Sequence, residues 1–173
     1  MNALPPKKTQ NRTAIITGGG RGIGKETAIM LSNHVENIVV CFRTKNEIDI
    51  VVDDIEEIND QVNILGQRCD VSISSQVNSL MTAAVDRFGS DSIDILVNNA
   101  GVAFDKKLVD TSEDEWDQTI DTNLKGAFLL TKAALPHMIQ RKSGIILNVN
   151  SGAGKTGFSD YRLTVQVSLD LQV

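Results

Sequence analysis

The segment Thr17-Gly18-Gly19-Gly20-Arg21-Gly22-Ile23-Gly24 limits the folds open to this chain more than any other. It follows a short apolar run, Ala14-Ile15-Ile16, and leads into a helical pattern, Glu26-Thr27-Ala28-Ile29-Met30-Leu31. A strand, a glycine turn and a helix in that order build a phosphate site at the edge of an open α/β sheet. Glycines let backbone N–H groups come close to a pyrophosphate, and the helix N-terminus adds positive potential. Gly19 to Lys25 also fits the front of a P-loop, G-x-x-x-x-G-K. That motif needs Ser or Thr next to hold Mg²⁺, and this chain has Glu26, a carboxylate that would face phosphate oxygens.

The rest of the chain alternates between two periodicities. Apolar runs predict strands over Thr13–Thr17, Asn37–Phe42, Val62–Asp70, Ile93–Val97 and Gly144–Val149, the third weakened by Gly66. Helices are predicted over Gly22–Asn33 and from Ile48 to Ile58. In the second, Ile48, Val51, Val52, Ile55 and Ile58 share one face, and Asp53, Asp54, Glu56 and Glu57 share the other. A third helix carries Val77, Leu80, Met81, Ala84, Val85 and Phe88 and stops at Gly89. A single long helix is expected from Ser112 to Arg141, with Ser112 as N-cap and Glu115 completing a capping box. Strands alternating with amphipathic helices predict an α/β protein, a Rossmann-type doubly wound parallel sheet with its ligand edge at the strand carboxyl ends.

Composition removes several classes of function. The net charge is −5, from 17 basic and 22 acidic residues, so there is no electrostatic footprint for nucleic acid. The acidic run from Asp53 to Asp60 reads as a solvated helix face. Cys41 and Cys69 have no metal or redox spacing and read as buried free thiols in a reducing compartment, and no metal site is expected. No apolar run is long enough to span a bilayer, and Met1 to Asn11 has no signal-peptide core, so the expectation is a cytoplasmic protein without a membrane partner. Residues 1–12 read as a flexible N-terminus ahead of one domain over 13–160. His34 and His137 read as surface or helix-end residues.

Four landmarks fall at strand ends in order. They are the glycine run, Asp70-Val71, Asn98-Asn99-Ala100-Gly101, and Asn148-Val149-Asn150-Ser151, with Asn123 inside the long helix. Together they resemble the short-chain dehydrogenase/reductase family, specifically its 3-oxoacyl-[acyl-carrier-protein]-reductase-like members, over nearly everything from Thr13 to Asp160. The resemblance implies an NAD(P)-dependent oxidoreductase acting on a small-molecule carbonyl or alcohol. It implies cofactor binding by Gly18, Gly20, Arg21, Gly22, Ile23, Gly24, Asp70, Val71, Asn98, Ala100 and Gly101, with Asp70 on the adenine amino group. An NAD enzyme would place Asp or Glu after the second strand. This chain has Cys41-Phe42-Arg43-Thr44, and Arg43 with Arg21 suits a 2′-phosphate, so NADP(H) is favoured over NAD(H).

The resemblance assigns catalysis to an Asn, a Ser, a Tyr and a Lys. Asn123 and Ser151 match the first two. The places for Tyr and Lys hold Thr164 and Ser168. The one tyrosine, Tyr161, has Val165 where a Lys would stand, and no Lys follows Lys155. One legal set of codons for Asp160 to Val173, read two nucleotides on, gives Leu-Ser-Ala-Tyr-Cys-Ala-Ser-Lys, with Tyr and Lys falling at positions 164 and 168. The expectation is therefore a chain cut short by a frameshift near residue 160, with 161–173 as an aberrant tail and no turnover. Sequencing the coding DNA tests this. The family forms homo-oligomers, an expectation not extended to this chain. A non-catalytic dinucleotide-binding module and a P-loop NTPase remain the alternatives.

Overall fold

Parallel pairing dominates the computed structural model, which describes residues 11–44 and 48–151. The strands are β1 (Thr13–Thr17), β2 (Asn37–Phe42), β3 (Asn63–Arg68), β4 (Ile93–Asn98) and β5 (Ile145–Asn148), in the order β3-β2-β1-β4-β5. The order reverses at β1, so β1 and β4 flank a switch point, where open α/β sheets bind ligands. Register is continuous from β1 to β2 (Thr13 opposite Asn37, Thr17 opposite Cys41) and from β2 to β3 (Phe42 opposite Arg68).

Helices cover both faces. α1 (Gly22–Ser32) and α2 (Ile48–Ile58) pack on one side, burying Ala28, Val51 and Ile55 with Ile16 and Val40. α3 (Ser74–Phe88) and α5 (Gly126–Arg141) pack on the other, where Leu80, Ala84, Leu130 and Ala134 meet Ile15, Val39 and Leu96. Ile15 and Ile16 point into opposite cores, as consecutive strand residues must. Cys41 and Cys69 are both buried free thiols. The Cys41 thiol is held well above its usual pKa by hydrogen bonding to Cys69 and by burial.

The fold class and the positions of the elements are those expected from the sequence, with three corrections. β3 is shorter than Val62–Asp70, because beyond Arg68 the chain turns out of the sheet. Ile58, expected on the apolar face of α2, is exposed at the helix end. The single long helix is interrupted. α4 (Glu113–Thr119) passes into a π-helical turn over Ile120–Lys125 before α5 begins. Its N-terminus is as expected: the Ser112 hydroxyl accepts from the Glu115 N–H (3.3 Å), and Glu115 accepts from the Ser112 N–H (3.0 Å). Lys106 and that capping box hold the Glu115 carboxyl below the usual range.

Thr164, Ser168, Tyr161 and the tail 161–173 lie outside the described residues, as do 1–10 of the N-terminal stretch.

Candidate functional site

At the carboxyl end of the sheet, the turn after β1 opens a cleft of about 520 Å³. It is lined by Gly18, Gly20, Arg21, Gly22 and Ile23 from that turn, and by Phe42, Arg43 and Thr44 beyond β2. Cys69, Asp70 and Val71 after β3, and Ala100 and Gly101 after β4, complete most of the wall. Gly18 and Gly19 point their N–H groups back to the Cys41 carbonyl (2.8 and 3.2 Å), which closes the turn. The first turn of α1 has neither a side-chain cap nor an acidic residue, so its leading N–H groups face the cleft side unneutralised. α4, with its capping box and three acidic residues in the first turn, is the opposite case in the same molecule.

Gly24 does not line the cleft; it lets the loop close. A Cβ there would collide with the Gly18 carbonyl oxygen and with Asn99 Nδ2. Those atoms belong to a clamp across the switch point. The Thr17 hydroxyl accepts from the N–H groups of Asn99 and Ala100 (both 3.0 Å) and donates to the Val97 carbonyl (3.3 Å). Asn99 Nδ2 donates back to the carbonyls of Thr17 (2.9 Å) and Gly18 (3.2 Å). The turns after β1 and β4 are thereby fixed to one another. Neither Thr17 nor Asn99 was among the site residues expected from sequence. The signal was a hydroxyl residue closing one strand and a second amide after the other, which only the β1–β4 pairing connects.

Asp70 divides its carboxylate. Oδ1 accepts from the N–H and hydroxyl of Ser72 (3.0 and 2.6 Å), shaping the turn into α3. The Asp70 N–H is itself held by Gln76 Oε1 (2.8 Å). Oδ2 has no protein partner among the described residues. Arg21 and Arg43 are exposed on the cleft, and among the described residues neither forms an ion pair, although other cations find carboxylates at Asp54, Asp94, Glu115 and Asp121.

A second cleft of about 300 Å³ adjoins the first and shares the Asn99–Val102 turn with it. Asn98, Asn123, Asn148, Asn150 and Ser151 line it, which brings together the two expected catalytic residues, Asn123 and Ser151. Asn98 belongs here rather than to the first cleft. Its Nδ2 donates to Asn148 Oδ1 (2.9 Å) and to the Thr131 hydroxyl (3.2 Å), while its buried Oδ1 has no partner among the described residues. The π turn explains where Asn123 sits. Asn123 accepts from the Val102 N–H (2.8 Å) and donates to the Val102 carbonyl (2.9 Å), locking the helix to the turn after β4. One turn on, Gly126 lies so close to Val71 that a Cβ would come within 2.6 Å of its methyl carbon. Two neighbours thus meet the helix three residues apart at its π turn, a feature frequent at functional sites.

A strand-reversal cleft, a glycine turn on an uncapped helix and an amide-lined cavity beside it define a class, and comparison supplies its name. Residues 12–162 match the short chain dehydrogenase family model, and the chain belongs to that family. It is similar to the 3-oxoacyl-[acyl-carrier-protein] reductase FabG of Staphylococcus aureus, 36% identical over 147 residues that cover 84% of this chain and 58% of the relative. It also resembles a subunit of (2S)-[(R)-hydroxy(phenyl)methyl]succinyl-CoA dehydrogenase, BbsD, from Thauera aromatica, 37% identical over 90% of this chain and 63% of that one. Among solved structures, a variant of actinorhodin polyketide ketoreductase with NADPH superposes with a TM-score of 0.81 at 31% identity, over 87% of this chain and 57% of the other. A metagenomic short-chain oxidoreductase in complex with NADP superposes with a TM-score of 0.79 at 34% identity, over 87% of this chain and 67% of that one. The chain spans about three fifths of the length of these curated relatives. No helix among the described residues is long and apolar enough to cross a membrane.

Proposed function

We propose that this chain is the NADP(H)-binding portion of a 3-oxoacyl-reductase-like oxidoreductase that interconverts a carbonyl and an alcohol. One observation carries the reading. A protein of net charge −5 leaves Arg21 and Arg43 without carboxylate partners among the described residues, on a cleft that also receives the uncapped end of α1. An anion with two separated phosphate positions fits that arrangement.

In this reading the leading N–H groups of α1, at Gly22 and Ile23, hold the pyrophosphate. Arg21 and Arg43 hold the 2′-phosphate, and Asp70 Oδ2 accepts from the adenine amino group. Gly24 and Asn99 keep the loop near enough to do so. Bound NADPH supplies the hydride for carbonyl reduction. Ser151 donates its hydroxyl hydrogen to the substrate oxygen, and Asn123, fixed by Val102, orders the polar groups of the second cleft. A proton donor is needed as well, and no Tyr and Lys stand at the family's spacing, where Thr164 and Ser168 occur. The polypeptide of this sequence therefore binds cofactor without turnover.

Titration of the purified chain tests the reading. NADPH should quench Trp116 fluorescence or release heat with a well-defined Kd, NADH should bind more weakly, and Mg²⁺-ATP should compete poorly. Binding of Mg²⁺-ATP in preference to NADPH would support the P-loop alternative instead. A second reading, a dinucleotide-binding module without catalysis, is favoured by the absent Tyr and Lys. Both readings predict no NADPH oxidation with a β-keto thioester: measurable activity that disappears in Ser151→Ala would overturn both and show that another group donates the proton.

A further inference from the structure

Arg68 ends β3 directly opposite Phe42 of β2, beside the cleft but not lining it. Its exposed side chain reaches across to the end of β2, and Nε donates to the backbone carbonyl of Arg43 (3.0 Å). That bond holds the first residue beyond β2, which ends at Phe42. No ion pair involves Arg68 among the described residues. Arg21 and Arg43 line the cleft, and Arg68 stands behind Arg43, with no described carboxylate pairing any of the three. Positive charges on one side of a cleft favour a bound anion.

We propose that Arg68 is a positioning residue for recognition of the 2′-phosphate. Its Nε–H fixes the Arg43 peptide, and so the direction in which the Arg43 side chain leaves the backbone. Its remaining N–H groups add positive potential behind Arg43. The arrangement resembles a relay of two arginines, one on the phosphate and one on the backbone of the first. This inference rests on the NADP(H) reading above. The sequence gives no hint of it, because Arg43 and Arg68 are brought together only by the β2–β3 register.

The test compares 2′,5′-ADP with 5′-AMP, which differ only in the 2′-phosphate, by titration calorimetry on the full chain. The wild type should prefer 2′,5′-ADP, and Arg43→Ala should remove most of that preference. Arg68→Ala should lower the preference by about fivefold, the size expected for one partly exposed charge-assisted contact, and leave 5′-AMP binding within about twofold. Arg68→Gln, which retains an N–H donor without the charge, should recover part of the loss. Retained 5′-AMP binding also shows that each variant is folded. An unchanged preference in Arg68→Ala, or equal weakening of both ligands, overturns the role of Arg68 while the NADP(H) reading stands. A wild type indifferent to the 2′-phosphate overturns both.

Discussion

The two ends of the sheet use their polar side chains differently. At the amino end the groups pair with one another, most by hydrogen bonds and buried Arg12 Nε and Asp94 Oδ1 by ion pairing alone. Asn63 donates to Asn37 (3.0 Å), Asn37 to the Thr13 hydroxyl (3.1 Å), Thr13 to the Ser92 hydroxyl (3.0 Å), and Ser92 to the Gly89 carbonyl (2.7 Å). The relay crosses from β3 to the start of β4 with every donor pointing the same way, an arrangement in which each bond polarises the next. Asp94, almost fully buried, is flanked there by Arg141 (3.2 Å) and Arg12 (3.9 Å). At the carboxyl end, Arg21, Arg43, the leading N–H groups of α1 and Asp70 Oδ2 have no such partners among the described residues. Buried polar groups that satisfy one another stabilise a fold, and convergent groups left open at a cleft await a ligand.

Substitutions at each end sharpen that contrast. The largest effect is expected at Gly24, where both roles meet. Gly24→Val forces the α1 turn away from Gly18 and Asn99, costing about 1–3 kcal/mol of stability and at least about tenfold in NADPH affinity. Chemical denaturation and fluorescence titration measure the two. Asn37→Ala comes next and should act on stability alone. It strands Asn63 and removes a donor to Thr13, for about 1–3 kcal/mol, with an unchanged Kd for NADPH. A Kd that rose with the loss of stability would mean that the two ends are coupled.

The smallest effect is a pH slope. Burial holds the Asp94 carboxyl above the usual range, although Arg141, the Thr13 N–H and Arg12 pull it down. The folded state then binds a proton that the unfolded state has already released. Stability from this group is complete below its ordinary pKa of about 4 and is lost as pH rises through the raised value. Asp94→Asn should flatten that part of the profile of thermal midpoint against pH. Glu115 has the opposite sign and remains in both proteins, so the difference between the two profiles isolates Asp94.

Local signals made most of this fold legible. Continuous apolar runs placed β1 and β2 at their observed ends, and Ser112 with Glu115 marked the start of α4. The glycine turn, Arg43 and Asp70 could be read as one site because each follows a strand, and parallel strands end on one edge. What could not be read depends on contacts between distant residues. The Thr17–Asn99 clamp joins positions 82 apart in sequence. The π turn at Asn123 falls where the helix meets Val102 and Val71, and the helical period of Trp116, Ile120 and Leu124 gives no sign of it. Asp94 sits inside an apolar strand, where nothing local identifies Arg141 as its partner.

The central claim is that open polar groups at the carboxyl edge form a dinucleotide site, while closed ones at the amino edge do not. Amide hydrogen exchange with and without NADPH tests it most directly. Protection should increase at Gly20–Gly24, Arg43–Thr44, Asp70–Ser72 and Asn99–Val102 and stay unchanged at Thr13, Asn37, Asn63 and Ser92. Saturating NADPH that protected none of the first group, or protected the amino edge instead, would contradict the account.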